Sequence, residues 1–340
     1  MSLLVEQQRQ TQRPLHIVMT GSAQGIGLAA AQILVKQGHI VYHACRSVGR
    51  GEDAVHAAGG GVVLENAPCD LGDFDSIRKF AQVVEKQVPK LDVLCLNAGI
   101  APSSTAPKPR LTVQGFEECI GTNHLGHFLL AQLLRKKLAA NGGGRLILTA
   151  SSVHDPEQSA GKSGGRTATL GDLSGLGVNL KIRSPGATMV DGAVEFHGGK
   201  AYKDSKLCNI LMCRQAAKVF EKNITSVCFN PGFIPTTSLF DSLRQESWWK
   251  AQALTLFAHV MGFAVPLSVA GERLAYLTTS DDITPKQHNG SYFTAPAKSK
   301  ATRPSQENGF HVVEPSVEAR DEEVAGRLWE KSLEVIHEWL

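Results

Sequence analysis

The chain is short of net charge, of paired cysteines and of long apolar runs, and each shortage removes a class of protein. Lysine and arginine number 35 against 32 aspartates and glutamates in 340 residues, a formal charge of +3. So even a balance gives no basic surface of the kind that nucleic-acid binding needs, and no nucleic-acid partner is expected. The seven cysteines are scattered, odd in number and form no Cys-x-x-Cys pair. Neither a zinc knuckle nor a disulfide framework is indicated, and no metal is expected. Cys95 and Cys228 sit inside apolar runs, where buried free thiols are common, so a reducing compartment suits them. The most apolar window, Ala253 to Ala270, is interrupted by His259, Gly262 and Pro266, which argues against a membrane-spanning helix. The first residues, MSLLVEQQRQTQRP, have neither the apolar core of a signal peptide nor the Ser/Arg richness of a transit peptide. A cytoplasmic or plastid location is expected.

What remains is an ordinary globular composition, 42% hydrophobic and 20% charged, with 33 glycines that ask for tight turns or backbone close to a ligand. Short apolar runs alternate with segments of helical period, the signature of a parallel sheet covered on both faces. Strands are expected at Leu15–Thr20, His39–Cys45, Gly61–Ala67, Leu91–Leu96, Arg145–Ala150, Ile224–Phe229 and Gly290–Thr294. Helices are expected at about Ile26–Gln37, Asp73–Gln87 and Gln114–Ala140, from Lys200 onward, and over Glu314–Trp339. The expected fold is α/β: a Rossmann-like doubly wound parallel sheet of about seven strands, one domain over 14–340 behind a flexible tail at 1–13. Two stretches break the alternation, 155–199 and 233–266. Each leaves the C-terminal end of a strand, where open α/β sheets bind ligands, so an insert and a substrate lid are expected.

The turn from the first strand into the first helix reads Thr20-Gly21-Ser22-Ala23-Gln24-Gly25-Ile26-Gly27. Its glycines would let the chain turn, bring backbone N–H groups to phosphate oxygens, and let helix and strand pack closely. This spacing resembles that of the short-chain dehydrogenase/reductase family, and the family's other motifs follow in order. An NAD-preferring enzyme carries a carboxylate after strand two for the ribose 2′-hydroxyl; here Arg46 stands there, with Arg50 nearby. An arginine accommodates a 2′-phosphate, so the expected cofactor is NADPH. The resemblance implies that Ser22, Gln24 and Ile26 of the loop, Asp70 and Leu71, and Asn97-Ala98-Gly99 border it. Pro231, Gly232 and Thr236, after the strand at Ile224–Phe229, are expected to meet its nicotinamide end.

Tyr202 and Lys206 stand four apart on an expected helix and so share a face. A tyrosine near its ordinary pKa of about 10 relays protons poorly at neutral pH, and an adjacent ammonium is expected to lower it. The resemblance makes Tyr202 the proton donor and Lys206 the holder of the nicotinamide ribose. Ser151 polarises the reacting group, or Ser152 if the strand end is displaced by one residue, and Asn123 completes the set through a water-linked proton path.

Within the family the chain is most similar to the light-dependent protochlorophyllide reductases, through Thr122–Leu130, Gly199–Asn209, Ala270–Arg273 and Ala319–Glu323. The long insertion between Ser151 and Tyr202 is a further likeness. One position departs: Phe233 stands where those enzymes carry a cysteine implicated in substrate binding and photochemistry. A phenyl ring neither donates a proton nor ligands a metal. The resemblance implies NADPH-dependent hydride transfer to a bulky apolar, tetrapyrrole-like substrate. The alternative is a light-independent carbonyl reductase or alcohol dehydrogenase acting on a retinoid-, carotenoid- or steroid-like substrate; a third reading is a non-catalytic NADPH-binding assembly protein. Phe233, Trp248 and Trp249 are expected to wall the substrate pocket under the lid. Peripheral membrane contact and a homo-oligomer are compatible with this reading.

Overall fold

The computed structural model describes residues 13–103, 105–181, 188–237, 244, 247–296, 299–303 and 309–340. Seven strands form one sheet in the order β2-β1-β3-β4-β5-β6-β7. They are β1 His16–Thr20, β2 Ile40–Ala44, β3 Val93–Leu96, β4 Gly144–Thr149, β5 Ile224–Phe229, β6 Ser291–Thr294 and β7 His311–Val313. The first six run parallel, and β7 pairs antiparallel with β6. The longer helices are α1 Gly25–Lys36, α2 Val48–Ala58, α3 Phe74–Gln87, α4 His127–Ala139, α5 Gly198–Val219, α6 Trp248–Val260, α7 Leu267–Thr279 and α8 Glu322–Ile336.

Both faces of the sheet are buried. Ile17, Met19, Val93, Cys95 and Ile147 pack with α1 and α7 through Ala30, Leu34, Leu274 and Leu277. Their strand neighbours Val18, Leu94, Leu96, Leu146 and Leu148 pack on the other side with Phe80, Phe128, Leu211 and Trp329, from α3, α4, α5 and α8. Two-sided burial is why these strands read as continuous apolar runs rather than as alternating ones. Among the described residues, no helix is long and apolar enough to cross a membrane.

The structure corrects the expected elements in four places. The segment Gly61–Ala67 is reduced to a single bridge between Tyr42 and Val62. Gly59, Gly60 and Gly61 carry φ of 76°, 151° and 109°, and Asn66 54°, which interrupts extended chain on both sides of Val62. β7 fills out the sheet instead. The single helix expected over 114–140 begins at Glu118 and widens into a π-helical segment at Gly121–Gly126 before α4. The C-terminal helix is broken at Asp321, whose carboxylate caps α8 by accepting from the N–H groups of Glu323 and Val324 at 2.9 and 3.0 Å. Helix α2 was not expected. Residues 1–12 of the tail lie outside the described residues.

Candidate active site

The C-terminal ends of β1, β3 and β4 are stitched together by side chains. Thr20 Oγ1 accepts from the N–H groups of Asn97 and Ala98 at 2.9 and 3.0 Å. Asn97 Nδ2 donates to Thr20 O and Gly21 O at 3.2 and 3.4 Å, and its Oδ1 accepts from Thr149 Oγ1 at 3.2 Å. This corner fixes the Gly-rich turn, where Gly21 and Gly25 take φ of 67° and 57° and a Cβ on Gly27 would run into the Gly21 carbonyl oxygen. Helix α1 starts there with no side-chain cap hydrogen bond from Gln24. That is the setting in which a helix N-terminus takes up phosphate.

The other residues expected at a cofactor divide into two groups. Arg46 is exposed just beyond β2, and Arg50 reaches back to the Gly-rich turn to donate to Gln24 Oε1 at 3.1 Å. Gly99 lies against Lys206 and Asn123: a Cβ there would be 3.4 Å from Lys206 Nζ and 3.6 Å from Asn123 Oδ1. A Cβ on Gly25 would be 3.7 Å from Thr237 Cγ2, so the Pro231–Thr236 segment, with its exposed Thr236, faces the Gly-rich turn. By contrast, the Ser22 hydroxyl is buried on His43 Nδ1 at 3.0 Å, leaving Ser22 only its backbone to offer. Asp70 Oδ1 is engaged by Gly72 N–H at 2.9 Å, and Leu71 is core. Ile26 packs partly against the lid side, with Ile234 and Val265.

Tyr202 and Lys206 share one face of α5, with Lys206 Nζ 5.5 Å from the Tyr202 ring centroid and donating to Thr149 O at 3.0 Å. The Ser151 side chain acts on the phenol in the direction that favours its ionised form. Ser152 instead opens the short turn that Ser151 caps by accepting from Val153 N–H at 3.4 Å. The electrostatics differ from expectation. Burial lowers Lys206 to about 8, whereas burial and then the Cys119 thiol push the Tyr202 phenol upward, opposed only by Ser151. The ammonium faces the ring rather than the hydroxyl, and burial outweighs it. At neutral pH the phenol therefore holds its proton, the state a proton donor requires.

Asn123 lies inside the π-helical segment, a local widening that recurs at functional sites. Its Oδ1 accepts from Ile100 N–H at 2.9 Å, and its Nδ2 donates to Ile100 O at 2.9 Å and Ser205 Oγ at 3.0 Å. Ser205 in turn donates to Tyr202 O at 2.7 Å. The amide thus reaches the Tyr202 turn of α5 through Ser205, a residue the sequence reading passed over although it lies between Tyr202 and Lys206. Lys203 was passed over too. Its Nζ donates to Gly161 O, Ser163 O and Arg166 O at 2.7, 2.5 and 2.6 Å, fastening the start of the insert to α5.

Phe233 backs onto the lid. Its carbonyl accepts from Val265 N–H at 2.8 Å, and its ring lies 5.5 Å from Phe263, which packs 5.9 Å from Phe257 of α6. Trp248 and Trp249 are 67% and 65% exposed, so most of their surface faces outward rather than walling a pocket. Lid residues 238–243, 245 and 246 lie outside the described residues.

Comparison with known proteins agrees with this geometry. Residues 15–162 match the family model for short chain dehydrogenases. A protochlorophyllide reductase of Avena sativa is 36% identical over 333 residues, covering 94% of this chain and 99% of its own. A chloroplastic protochlorophyllide reductase of Cucumis sativus is 36% identical over 342 residues, 96% of this chain and 79% of its own. A protein of solved structure from Mycobacterium paratuberculosis is similar at a TM-score of 0.64 and 25% identity, over 95% of each chain.

Proposed function

The chain belongs to the short-chain dehydrogenase/reductase family, in the branch of the protochlorophyllide reductases, and from there we propose that it is an NADPH-dependent reductase of a large apolar, tetrapyrrole-like substrate. The observation that carries this reading is the placing of Tyr202 and Lys206 on one face of α5, with Lys206 Nζ 5.5 Å from the Tyr202 ring centroid and burial keeping the phenol protonated. NADPH suits the residues present, with an uncapped α1 N-terminus for its pyrophosphate and Arg46 and Arg50 for its 2′-phosphate. When bound, it supplies hydride from nicotinamide C4. Tyr202 gives its proton to the second atom of the reduced double bond, so that one hydride and one proton add together. Lys206, beside the ring, stabilises the phenolate left behind, and Ser151 orients the phenol. Asn123 and Ser205 hold the turn of α5 on which both groups stand.

Phe233 favours a second reading, light-independent reduction of a carbonyl on a retinoid-like substrate, because a phenyl ring replaces the cysteine implied by the resemblance. An anaerobic absorbance titration with protochlorophyllide and NADPH, in darkness and after a flash, separates the two. Pigment reduction only after illumination supports the first reading. Dark reduction of a retinoid aldehyde, with the pigment untouched, supports the second. The exposed apolar side chains of α6 and its end, Trp248, Leu256, Val260 and Met261 among them, fit peripheral contact with a membrane surface. The plastid is the location consistent with the Cucumis sativus relative.

Arg46→Asp is expected to weaken NADPH binding more than NADH binding, because it sets a like charge against the 2′-phosphate. Charge-assisted contacts of this kind contribute ~1.5–3 kcal/mol, so selectivity falls roughly tenfold or more. Fluorescence titration with both cofactors checks it, and an equal loss for both would remove the assignment of Arg46. Phe233→Ala is expected to weaken a bulky apolar ligand by about 1–3 kcal/mol while NADPH affinity stays unchanged. Phe233→Cys is expected to alter pigment binding or its photochemical turnover. If both variants change only thermal stability, Phe233 is a prop for the lid and not a wall of the pocket.

A further inference from the structure

One side chain, His127, joins the cofactor corner to Asn123. Its Nε2 lies 2.9 Å from Thr20 Oγ1 and its Nδ1 3.1 Å from Asn123 O. Thr20, Asn123 and His127 are all buried, at 1%, 0% and 0% exposure, so water does not complete their hydrogen bonding.

Counting hydrogens fixes the direction of each bond. Thr20 Oγ1 has one hydrogen and two lone pairs, and the lone pairs accept from Asn97 N–H and Ala98 N–H. Its own hydrogen must be donated. His127 Nε2 at 2.9 Å is the better-placed acceptor, against Cys95 O at 3.4 Å. With Nε2 accepting, Nδ1 carries the ring hydrogen and donates to Asn123 O. Burial, aided by the Lys206 charge, lowers the imidazole to about 3, in keeping with a neutral ring. His124 also lies nearby, and burial lowers it to about 3 as well. Asn123 Nδ2 donates to the Cys119 thiol at 3.2 Å, and burial pushes the Cys119 and Cys95 thiols up, so both stay neutral. His127 N–H bonds His124 O, and the His127 ring gives the Asn123 carbonyl a side-chain donor within the π-helical segment.

We propose that His127 is a positioning residue that, as the Nδ1–H tautomer, clamps the Asn123 carbonyl to the Thr20 corner, so that the cofactor seat and the amide supporting the Tyr202–Lys206 turn move as one body. The proposal rests on the reading of Asn123 as part of the catalytic set. It differs from a packing role because it assigns opposite parts to the two ring nitrogens.

Nitrogen-15 NMR of the full-length protein with labelled histidine, assigned by the signals lost in His127→Phe and His127→Asn, reads the tautomer without any substrate. The expected result is a protonated Nδ1 and a bare Nε2, unchanged down to about pH 5, where an ordinary histidine is already a cation. In turnover, His127→Phe is expected to lower kcat roughly 10- to 100-fold through misplacement of Asn123. NADPH affinity should hold, because Thr20 keeps both amide donors and can turn its hydrogen to Cys95 O. His127→Asn, with an N–H in place of Nδ1–H, should recover most of kcat, whereas His127→Gln, with an oxygen toward Thr20, should not. An Nε2–H tautomer or an ordinary titration in the wild type overturns the proposal. So does an asparagine variant no faster than the glutamine variant at equal thermal stability. If His127→Phe does not fold, those two variants and the wild-type spectrum still decide. Absence of pigment turnover in the wild type would count against the proposed function, while the spectrum would still judge the clamp.

Discussion

Tyr202→Phe is expected to fold, to bind NADPH with unchanged affinity, and to lose roughly 10²–10⁴ of turnover, the usual cost of removing a general acid. The substitution deletes only the hydroxyl and leaves the ring over which Lys206 stands. Because burial keeps the phenol protonated while Lys206 sits at about 8, the proton to be delivered is on Tyr202 and the nearby charge is on Lys206 at neutral pH. Single-turnover absorbance on wild type and variant, at equal occupancy by NADPH, checks this. A near-normal rate would show that the proton reaches the substrate by another route.

Arg273→Met is expected to destabilise the protein by about 3–5 kcal/mol, because it leaves three buried carbonyl oxygens without their donor. Arg273 is 1% exposed and bonds Ala301 O, Pro231 O and Ser299 O at 3.0, 2.9 and 2.9 Å, with its guanidinium 5.4 Å from the Phe310 ring centroid. Methionine fills most of the volume but leaves three carbonyl oxygens without their donor. Each orphaned acceptor costs about 1–3 kcal/mol, part of which is recovered because the buried cation is itself costly. One of those carbonyls belongs to Pro231, so KM is expected to rise more than kcat falls. Urea denaturation checks the stability, and a loss under about 1 kcal/mol would show that the carbonyls find other donors.

Where the chemistry is carried by spacing, the sequence was a good guide. The first-strand turn, Asn97-Ala98-Gly99 and Ser151 lie at the strand ends expected of them, because two-sided burial makes the strands visible as apolar runs, and Tyr202 and Lys206 lie on the helix expected from Lys200 onward. β7 was not visible, since its three residues are largely exposed and present no such run. The apolar stretch after Gly61 looked like a strand, and only the positive φ values around it show why it pairs no further. Helix α2 was hidden by two glycines in a sequence that reads as loop.

The electrostatics of the site were the least legible. Whether Lys206 lowers the Tyr202 phenol depends on how deeply both are buried and on which part of the ring the ammonium faces, and neither is encoded in a four-residue spacing. Lys203 and Ser205 looked like filler between Tyr202 and Lys206, yet one anchors the insert and the other links Asn123 to the turn. Trp248 and Trp249 suggested a pocket wall by composition alone, whereas the contact with Phe233 comes from Phe263.

The most direct test of the account follows the hydride. Protein, protochlorophyllide and NADPH carrying deuterium at both nicotinamide C4 positions are mixed without oxygen, illuminated by one flash, and the pigment is analysed by mass spectrometry. The account predicts a reduced pigment bearing a single deuterium from the cofactor, with the second new hydrogen drawn from solvent by way of Tyr202. Reduced pigment without cofactor deuterium, or unreduced pigment beside dark reduction of a retinoid aldehyde, would contradict it.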